Sequence, residues 1–543
     1  SNASTGTGNH FGVLIGWGGT AVTGTNAITT GSGNITIKGD ASTLNTNKSH
    51  GVSFFVTAVT STSGVITIDG RGAALSPADI DWNGADVSST SGAVLAKTGT
   101  TSGFLNFTNA NSRLASNTSV TLQANKLATT IANLAGTGTK TIEPPTGATA
   151  FGSAFSLAGM TISSASTALT IGNSTNNAAI TLPVATSIAG PIIVYGGDVT
   201  NSANLTATTS AGSIAINSNG LFTNSAAISS AAGNQPTTIK ADKAALTGSI
   251  NSGTGITTIT GFTAAKTIDL GLSGDSTSTL ALTNTELGTI TAGTIRVGDS
   301  TSGTITVSAS ITIASAKSNT LALRTAGNVT ATNSSIITAT NLGIDAGGTI
   351  SLGGANGVTG NLAIVAAGAT SGSGASFGSS GNYSVAAVDG ITPVFGIGKN
   401  ISVSSAPAVG STEVRYLNQT WSAPPVVTIK DEYGYVLSTK NLKATTYTID
   451  VTDSGAPLIA GATPVVSGGT QTFSALNFTT TPGTTTLTFT AAGLAAGGTS
   501  TVTTGTYDVQ GGEPQSIAIA YTSTSAQAGK TGFGLTATLK DAG

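Results

Sequence analysis

The feature that most constrains the fold is a series of short segments in which apolar and polar residues alternate between small turn-forming residues. Examples are Asn34-Ile-Thr-Ile-Lys38, Val65-Ile-Thr-Ile-Asp69, Thr304-Ile-Thr-Val-Ser308 and Thr320-Leu-Ala-Leu-Arg324. A period of two places the apolar side chains on one face of a β-strand and the polar ones on the other. Clusters such as Asp299-Ser-Thr-Ser-Gly303 suit tight turns between strands. Because helical periodicity is nearly absent, the sequence predicts an all-β protein.

A degenerate repeat near the start favours a solenoid over a sandwich or a propeller. Two successive copies each contain three strand-like segments, and these are 9–14, 20–23 and 34–40, followed by 48–53, 57–60 and 65–71. Such units bury their apolar faces only when they stack as coils around a shared core. The 73 glycines leave room where one turn lies on the next. We therefore predict a right-handed parallel β-helix over residues 4–392, with about 16–19 coils of roughly 20–25 residues.

The sequence changes character near residue 391, where proline, tyrosine and tryptophan become frequent and the strands lengthen. This pattern predicts an Ig-like β-sandwich over residues 393–511, without the cysteine pair of antibody domains. The segment Pro425–Gly434 is echoed by Gly534–Gly543, which predicts the start of a second Ig-like domain over residues 512–543. Ser1-Asn2-Ala3 looks like a cleavage scar from an expression tag, and we expect the natural protein to continue beyond Gly543.

Charged residues are scarce and balanced, with 20 basic and 22 acidic side chains making up 8% of the chain. This balance excludes a nucleic-acid binder that relies on a basic surface. No run of 18 apolar residues is present, so we expect no membrane insertion. The absence of cysteine excludes disulfides, thiol nucleophiles and thiolate metal sites. With few titrating groups, we expect stability to change little between about pH 5 and 9.

The acidic cluster Asp79, Asp81 and Asp86, around Trp82, is the strongest candidate for chemistry. Carboxylate pairs act as acid and base in polysaccharide cleavage, and an exposed tryptophan can stack on a sugar. An enzyme predicts that the three carboxylates line a cleft. The alternative is a solvated loop inserted between coils after the turn at Pro77, and this alternative is the one we favour.

Histidine and serine offer weaker candidates for catalysis. His10 and His50 each precede the Gly-Val of a repeat, which predicts related turns and a loop role for both. Gly274-Asp-Ser276 and Gly298-Asp-Ser300 are similar to a serine nucleophile motif. A catalytic triad also needs a positioned histidine. Since neither histidine is near in sequence, both motifs predict turns.

Three further residue sets suggest binding. Asp431, Glu432 and Asp541 could bind Ca²⁺ at junctions between Ig-like domains, because carboxylates suit that ion. The threonine-rich segments Thr254–Thr260 and Thr484–Thr490 could match the surface of ice or of a glycan. Threonine is also a common residue in β-strands, which explains its abundance without any binding. Glycosylation sequons, which arise by chance in a chain rich in Asn and Thr, include Asn34, Asn106, Asn117 and Asn204.

Two segments resemble repeats of known exoproteins. The run Leu280–Asp299, followed by Gly303–Ser308, resembles repeats of filamentous haemagglutinin-type exoproteins, and Gly12–Gly72 resembles another repeat style of the same proteins. The region from about residue 394 is similar to their tandem bacterial Ig-like domains. The resemblance implies a large bacterial surface adhesin with a β-helical shaft, of a kind commonly exported by two-partner secretion. The secretion domain of that family is not evident in this sequence.

These observations lead to one expectation of function. We expect a fragment of a large secreted bacterial adhesin that acts as a rigid shaft at the cell surface in adhesion or biofilm attachment. We expect a monomer that binds a host or environmental receptor or glycan, with no enzymatic activity and no catalytic, cofactor-binding or metal-binding residue. The alternatives are a β-helix polysaccharide lyase or hydrolase, and a glycan- or ice-binding module.

Overall fold

In the computed structural model of this chain, the described residues are 10–16, 26–43, 49–73, 78–99, 103–129, 132–366, 375–379, 383–393, 398–431, 447–455, 465–466, 469–494, 498–512, 516–521 and 535–540. Strands make up 54% of the structure and helices 2%, which confirms the predicted all-β class. The strands up to residue 385 pair in parallel, and those after residue 398 pair mainly antiparallel.

The first fifteen strands are four to seven residues long. They are β1 (His10–Ile15), β2 (Asn26–Thr30), β3 (Ile35–Asp40), β4 (Ser49–Phe55), β5 (Thr57–Ser61), β6 (Ile66–Arg71), β7 (Ile80–Asn83), β8 (Asp86–Ser89), β9 (Val94–Thr98), β10 (Phe104–Phe107), β11 (Arg113–Ser116), β12 (Ser119–Gln123), β13 (Lys126–Thr129), β14 (Ala132–Ala135) and β15 (Thr139–Glu143). From β4 to β15, each pairs in parallel with the strand three positions before it. The three resulting strand orders are β1-β4-β7-β10-β13, β2-β5-β8-β11-β14 and β3-β6-β9-β12-β15.

The next strands are two to eleven residues long, and two short helical turns lie among them. The strands are β16 (Phe155–Ser156), β17 (Met160–Ile162), β18 (Leu169–Ile171), β19 (Ile180–Leu182), β20 (Thr186–Ile188), β21 (Ile192–Gly196), β22 (Val199–Asn201), β23 (Leu205–Ala207), β24 (Ile214–Asn224), β25 (Ile228–Ser229), β26 (Thr237–Leu246), β27 (Ile250–Asn251), β28 (Ile256–Thr260), β29 (Thr267–Leu270), β30 (Thr279–Leu282), β31 (Ile290–Thr291), β32 (Thr294–Val297), β33 (Ile305–Val307), β34 (Ile311–Thr312), β35 (Thr320–Thr325), β36 (Val329–Ala331), β37 (Ile337–Ala339), β38 (Asn341–Ala346), β39 (Ile350–Val358), β40 (Asn361–Ala366), β41 (Ala375–Ser379) and β42 (Ser384–Val385). A 3₁₀ turn spans Ala231–Gly233, and helix α1 spans Asn284–Leu287.

One sheet continues through this whole region, and we call it the long ladder. Its fifteen parallel strands are, in order, β3, β6, β9, β12, β15, β18, β21, β24, β26, β28, β32, β35, β38, β40 and β42. Paired residues are 20 positions apart between Thr237 and Thr257 but 38 apart between Thr257 and Ile295. The step between successive strands of the described ladder is therefore not uniform, and the expected 16–19 coils stay a prediction. Fourteen spacings of about 4.8 Å give the ladder a length of about 67 Å.

A continuous apolar core lies against the long ladder. Its residues are almost all Ile, Val, Leu and Ala, with a few aromatic side chains, most of them before residue 160. Burying one such aliphatic side chain stabilises the fold by about 1.5–3 kcal/mol. Lys140 is a charged exception, because it lies on the inward face between Val120 and Leu169 and is 0% exposed.

Hydroxyl groups close the turns after the strands of the second sheet. Ser61 ends β5, accepts a hydrogen bond from the Gly64 N–H (2.8 Å) and donates one to the Gly33 carbonyl (3.3 Å). Ser89, at the end of the next strand of this sheet, repeats the arrangement with Gly92 (3.0 Å) and the Gly64 carbonyl (2.8 Å). A Cβ added to Gly64 would lie 1.9 Å from the Gly33 oxygen, so this corner admits only glycine without a shift of the backbone.

The structure confirms one part of the predicted repeat and corrects another. Residues 35–40 pair one by one with residues 66–71, as the repeat predicts. The predicted equivalence of 20–23 with 57–60 is wrong, because β5 pairs with Asn26–Thr30 and places Ile28 opposite Val59. Residues 20–23 lie outside the described residues.

Among the described residues from 398 onwards, twelve strands form four small sheets. They are β43 (Gly398–Ser404), β44 (Thr412–Tyr416), β45 (Val426–Asp431), β46 (Tyr447–Asp453), β47 (Val465–Val466), β48 (Thr470–Thr472), β49 (Gly483–Thr485), β50 (Leu487–Ala492), β51 (Thr501–Thr503), β52 (Thr506–Gln510), β53 (Ser516–Tyr521) and β54 (Leu535–Lys540). The sheets are β43-β45-β48, β44-β52-β49, β47-β46-β50-β51 and β53-β54, and only β44 and β52 pair in parallel.

The region from 398 to 512, which we call the C-terminal module, has its own core. Trp421 packs against Phe478 and Tyr507, with ring centroids 5.4 and 5.3 Å apart. The Arg415 guanidinium lies over the Trp421 ring at 4.7 Å. This aromatic core shares no residue with the aliphatic core of the long ladder.

Candidate functional site

The three aspartates of the acidic cluster lie on or beside strands, so the predicted solvated loop is wrong. Asp79 precedes β7, Asp81 is its second residue, and Asp86 begins β8. Apolar and polar residues alternate in this segment, which is typical of a strand. Ile80 and Trp82, which lie between the aspartates, point into the core.

Asp79 is buried and holds backbone groups of other segments. Its Oδ1 accepts a hydrogen bond from the Gly72 N–H (2.6 Å), and its Oδ2 accepts one from the Phe104 N–H (2.7 Å). Burial raises the pKa of Asp79, while these two hydrogen bonds and the nearby His50 act in the opposite direction. Both carboxylate oxygens therefore have structural partners.

Asp81 and Asp86 are also engaged by neighbouring side chains. Asp81 accepts a hydrogen bond from Asn106 Nδ2 (2.9 Å), and burial raises the pKa of its carboxyl. Asp86 pairs with Arg113, whose Nη1 is 2.8 and 3.0 Å from the two carboxylate oxygens. Asp81 lies on β7 in the sheet that begins with β1, and Asp86 lies on β8 in the sheet that begins with β2. The two carboxylates therefore belong to different sheets.

Trp82 is 0% exposed, and the expectation of an exposed tryptophan is wrong. Strand register places it between Phe54 and Phe107 on the inward face, with ring centroids at 4.8 and 5.6 Å. Its indole N–H donates to the Ala85 carbonyl (3.1 Å). The ring is therefore unable to stack on a sugar.

The two histidines lie in strands, and their predicted placement in related turns is wrong. Register pairs His10 with Ser49 and Phe11 with His50, so the histidines are one position apart on β1 and β4. Neighbouring positions on a strand point to opposite faces. His50 Nδ1 lies 2.9 Å from the Ala78 carbonyl oxygen, and its ring stacks on Phe11.

A different set of charged side chains, outside the acidic cluster, lines a concavity of about 300 Å³ on the long ladder. We call it the charged groove, and its lining residues are Lys38, Gly39, Asp40, Asp69, Arg71, Lys97, Thr98, Gly99 and Thr146. Lys38, Asp69 and Lys97 occupy consecutive paired positions on β3, β6 and β9.

Ion pairs in the charged groove are loose. Asp69 is 4.0 Å from Lys38 Nζ and 3.4 Å from Lys97 Nζ, and Arg71 is 3.9 Å from Asp40. The Lys38 side chain is 72% exposed, so its pairing contributes little to stability. Hydrogen-bond donors and acceptors thus alternate along an open surface, an arrangement that suits the hydroxyl and carboxylate groups of a carbohydrate.

Sequence reasoning missed this groove, although a signal was present. The repeat aligns Lys38 with Asp69 and Asp40 with Arg71, so opposite charges occupy equivalent positions in successive copies. Parallel pairing brings such positions side by side, and that complementarity could have predicted the cluster.

The two Gly-Asp-Ser motifs lie outside strands and have local roles. Asp275 accepts hydrogen bonds from the backbone N–H groups of Ala281 (2.8 Å) and Ala244 (3.1 Å), and burial raises the pKa of its carboxyl. Asp299 accepts a hydrogen bond from the Thr301 N–H (2.8 Å). Both carboxylates organise the adjacent backbone.

Asparagines of the predicted sequons connect chain segments that lie next to each other in space. The side-chain oxygens of Asn34, Asn117 and Asn204 accept hydrogen bonds from backbone N–H groups 20 to 31 residues further along, at 2.8, 3.1 and 3.3 Å. Asn106 donates to Asp81. A structural role for asparagine at these corners was not foreseen from the sequence.

The threonine-rich strands present only part of their hydroxyls to solvent. Thr257 and Thr260 are buried, and their hydroxyls lie 3.0 Å from those of Ser252 and Ser302. In the second strand Thr485 is likewise buried. Thr257, Thr260 and Thr485 therefore belong to the interior.

The candidate Ca²⁺ ligands are not placed by the structure. Glu432 and Asp541 lie outside the described residues, and Asp431 is described only as the last residue of β45. Within the described part of the chain, no group of three or more His, Asp or Glu residues could hold a metal ion. Among the same residues, no helix is long and apolar enough to cross a membrane.

Comparison with protein-family models, with curated proteins and with solved structures found no match to this chain.

Proposed function

We propose that this chain is a shaft segment of a large secreted bacterial adhesin, which holds distal binding regions away from the cell surface. The long ladder is the observation that carries the proposal. Fifteen parallel strands in one sheet, over a continuous aliphatic core, form an elongated object of about 67 Å rather than a globular one.

The proposed architecture of residues 4–392 is a right-handed parallel β-helix. Pairing of every third strand in the first five coils supports it, since the chain returns to the same sheet after each set of three. Hydrogen bonds between adjacent strands and the hydroxyl-closed turns join each coil to the next. These contacts would give a stiff rod without disulfides.

The proposed architecture of residues 393–511 is an Ig-like sandwich, with a second such domain beginning at residue 512. Support comes from the first strands of the C-terminal module. β43 pairs antiparallel with β45, whereas β44 pairs in parallel with the last strand, β52. The first two strands, β43 and β44, thus belong to two different sheets, as expected when two sheets pack face to face in a sandwich.

The family resemblance adds location and partners to the proposal. As a member of the filamentous haemagglutinin-type exoproteins, the parent protein would be exported to the bacterial surface and would bind a host or environmental receptor or glycan. The segment would act as a monomer, without enzymatic activity or cofactor.

The rigid shaft can be tested with a distance measurement, because the chain has no cysteine and accepts single labels. Spin labels at Thr36→Cys and Asp345→Cys lie twelve strand spacings apart, or about 58 Å. We expect one narrow distance distribution near that value. A broad distribution, or one centred far below it, would contradict the shaft. Labels at Thr36→Cys and Thr67→Cys, one spacing apart, provide the control.

The charged groove favours a second candidate function, a glycan-binding module. We propose an array of glycans and host-matrix proteins, with a sugar-release assay on the same glycans. Binding that is lost in Lys38→Ala/Lys97→Ala but kept in Lys240→Ala/Lys317→Ala would assign binding to the groove. Both lysines of the matched control are exposed and lie outside it.

The same assay separates the enzyme alternative from binding. Sugar release that is abolished in Asp81→Asn/Asp86→Asn would overturn the adhesin proposal in favour of a lyase or hydrolase. These variants leave Asp79 intact, because that carboxylate holds two backbone N–H groups and its loss would disturb the fold. Binding without release would support an adhesin.

A further inference from the structure

A short hairpin follows the last strand of the long ladder, and we call residues 386–393 the strap. Val388 and Ile391 form two backbone hydrogen bonds with each other, at 3.1 and 2.9 Å. Between them Asp389 and Gly390 have φ values of 51° and 74°, which are the left-handed conformations of a tight two-residue turn. The strap therefore has a defined shape of its own.

The strap is seated on the outer face of strands that precede it. Val388 and Ile391 form a buried cluster with Ala363 of β40. A Cβ added to Gly343 of β38 would lie 3.0 Å from Ile391 Cδ1 and 3.2 Å from Val388 Cγ1. Ala322 of β35 pairs with Gly343 and is also fully buried. Small outward residues on three successive strands thus create the seat.

Asp389 anchors the strap through two arginines far away in sequence. Its carboxylate, only 5% exposed, accepts hydrogen bonds from Arg296 Nε (2.8 Å) and Nη2 (2.7 Å). Arg324 Nη2 donates to the Asp389 carbonyl and lies 3.4 Å from its Oδ2. Two-point pairing of arginine with a buried carboxylate is among the strongest polar contacts in proteins.

The terminal strand that precedes the strap is weakly attached by comparison. β42 pairs with β40 through only two residue pairs, Asn361 with Ser384 and Leu362 with Val385. The strap contacts β32, β35, β38 and β40 together. The strap therefore contacts four strands of the ladder, whereas β42 pairs with β40 alone among the described strands.

We propose that the strap is the mechanical anchor between the long ladder and the C-terminal module. A pull from residue 398 onwards reaches the strap before it reaches β42, because the strap lies between them in the chain. Four strands then share the force. Without the strap, the same force would act directly on β42 and separate this two-residue strand from β40. The inference rests on the proposed shaft function, because only a shaft under tension needs such an anchor.

The test uses the full chain held at its two ends in a single-molecule force experiment, with hydrogen exchange in parallel. In Asp389→Ala we expect the first ladder extension at lower force. We also expect backbone amides of β40 and β42 to exchange faster by on the order of a hundredfold, since removing one partner of a buried ion pair is strongly destabilising. Amides of β3 to β28 should keep their rates.

Two variants keep the test interpretable. Asp345→Ala removes the exposed partner of Arg324 and should leave the first extension force unchanged. Arg296→Met/Asp389→Asn removes both charges, keeps a residue that tolerates the left-handed φ of this turn, and should restore part of the force. Equal first-extension forces for Asp389→Ala and the unmodified chain would overturn the anchor. A narrow label distance together with that result would leave the shaft proposal intact, so the two failures are distinguishable.

Discussion

The long ladder and the C-terminal module reach stability by different routes. The ladder repeats small contacts, with one or two aliphatic side chains per strand and hydroxyl or amide groups at the corners. The module concentrates its core in a few aromatic rings around Trp421. Damage in the ladder should therefore be limited to adjacent strands, whereas damage in the module should affect the whole unit.

The difference lies in how far each contact reaches. In the ladder, a residue contacts the paired residues on the strands before and after it, as Lys38, Asp69 and Lys97 do. In the module, Trp421 brings together Arg415, Phe478 and Tyr507 from three separate segments. Substitutions can test whether the two regions respond independently.

The largest effect is expected in the module. Trp421→Ala removes a buried ring that packs on two others and should lower the free energy of unfolding by about 3–5 kcal/mol. Thermal denaturation followed by circular dichroism should show an earlier transition for the module and an unchanged one for the ladder. The control Val414→Ala, at an exposed position, should change little. A single transition that moves as a whole would contradict independent regions.

Lys140 gives the ladder an unusual dependence on pH. Burial lowers the pKa of Lys140 to about 8. Between pH 8 and about 10.5 the unfolded chain therefore binds more protons than the folded one, and the free energy of unfolding rises with pH by about 3 kcal/mol. Below pH 8 this gain is absent.

Denaturant unfolding at several pH values measures this effect. The rise should disappear in Lys140→Met, which should also be more stable at neutral pH, and it should persist in Lys240→Met. Parallel curves for Lys140→Met and the unmodified chain would contradict the buried charge. The expected pH independence between 5 and 9 would then extend to higher pH.

Gly64→Ala tests the close contact between corners of the ladder. The added methyl group would lie 1.9 Å from the Gly33 oxygen, so the two corners must move apart. We expect a loss of about 1–3 kcal/mol in denaturant unfolding. Gly31→Ala has no atom within 4 Å of the added carbon and should be neutral or slightly stabilising. Equal stability of both variants would show that corners are loosely packed.

The smallest effect is expected at the pair of Arg113 and Asp86, whose side chains are 39% and 43% exposed. Solvent screens such a pair, so a double-mutant cycle of Arg113→Ala and Asp86→Ala should give a coupling of about 0.2–1 kcal/mol that falls with added salt. A coupling well above that range would mean that the outer face of the second sheet is drier than its exposure indicates.

Local patterns predicted much of the ladder and little of the acidic cluster. The alternation in 35–40 and 66–71 predicted both the strands and their pairing. The same alternation should have placed Trp82 inward, but the surrounding aspartates suggested a loop. Whether a carboxylate is buried depends on donors from distant segments, such as the Phe104 N–H for Asp79, and no local pattern records them.

The strap was beyond sequence reasoning for a related reason. Asp389 lies 93 residues from Arg296 and 65 from Arg324, so nothing near it indicates a partner. Its seat depends on Ala322, Gly343 and Ala363, which are unremarkable in a chain with so many small residues. Long-range contacts of this type become visible only when the register of the ladder is known.

Unequal steps along the long ladder have a consequence for how such a protein can change. The 38-residue step from Thr257 to Ile295 accommodates helix α1 without disturbing the pairing of β28 with β32. Thr283 and Glu286 cap that helix, and Glu286 also accepts a hydrogen bond from the Leu246 N–H (3.1 Å). Ladder length and loop content can therefore evolve separately: adding a strand lengthens the ladder, and enlarging a step adds new surface between two strands whose pairing is unchanged.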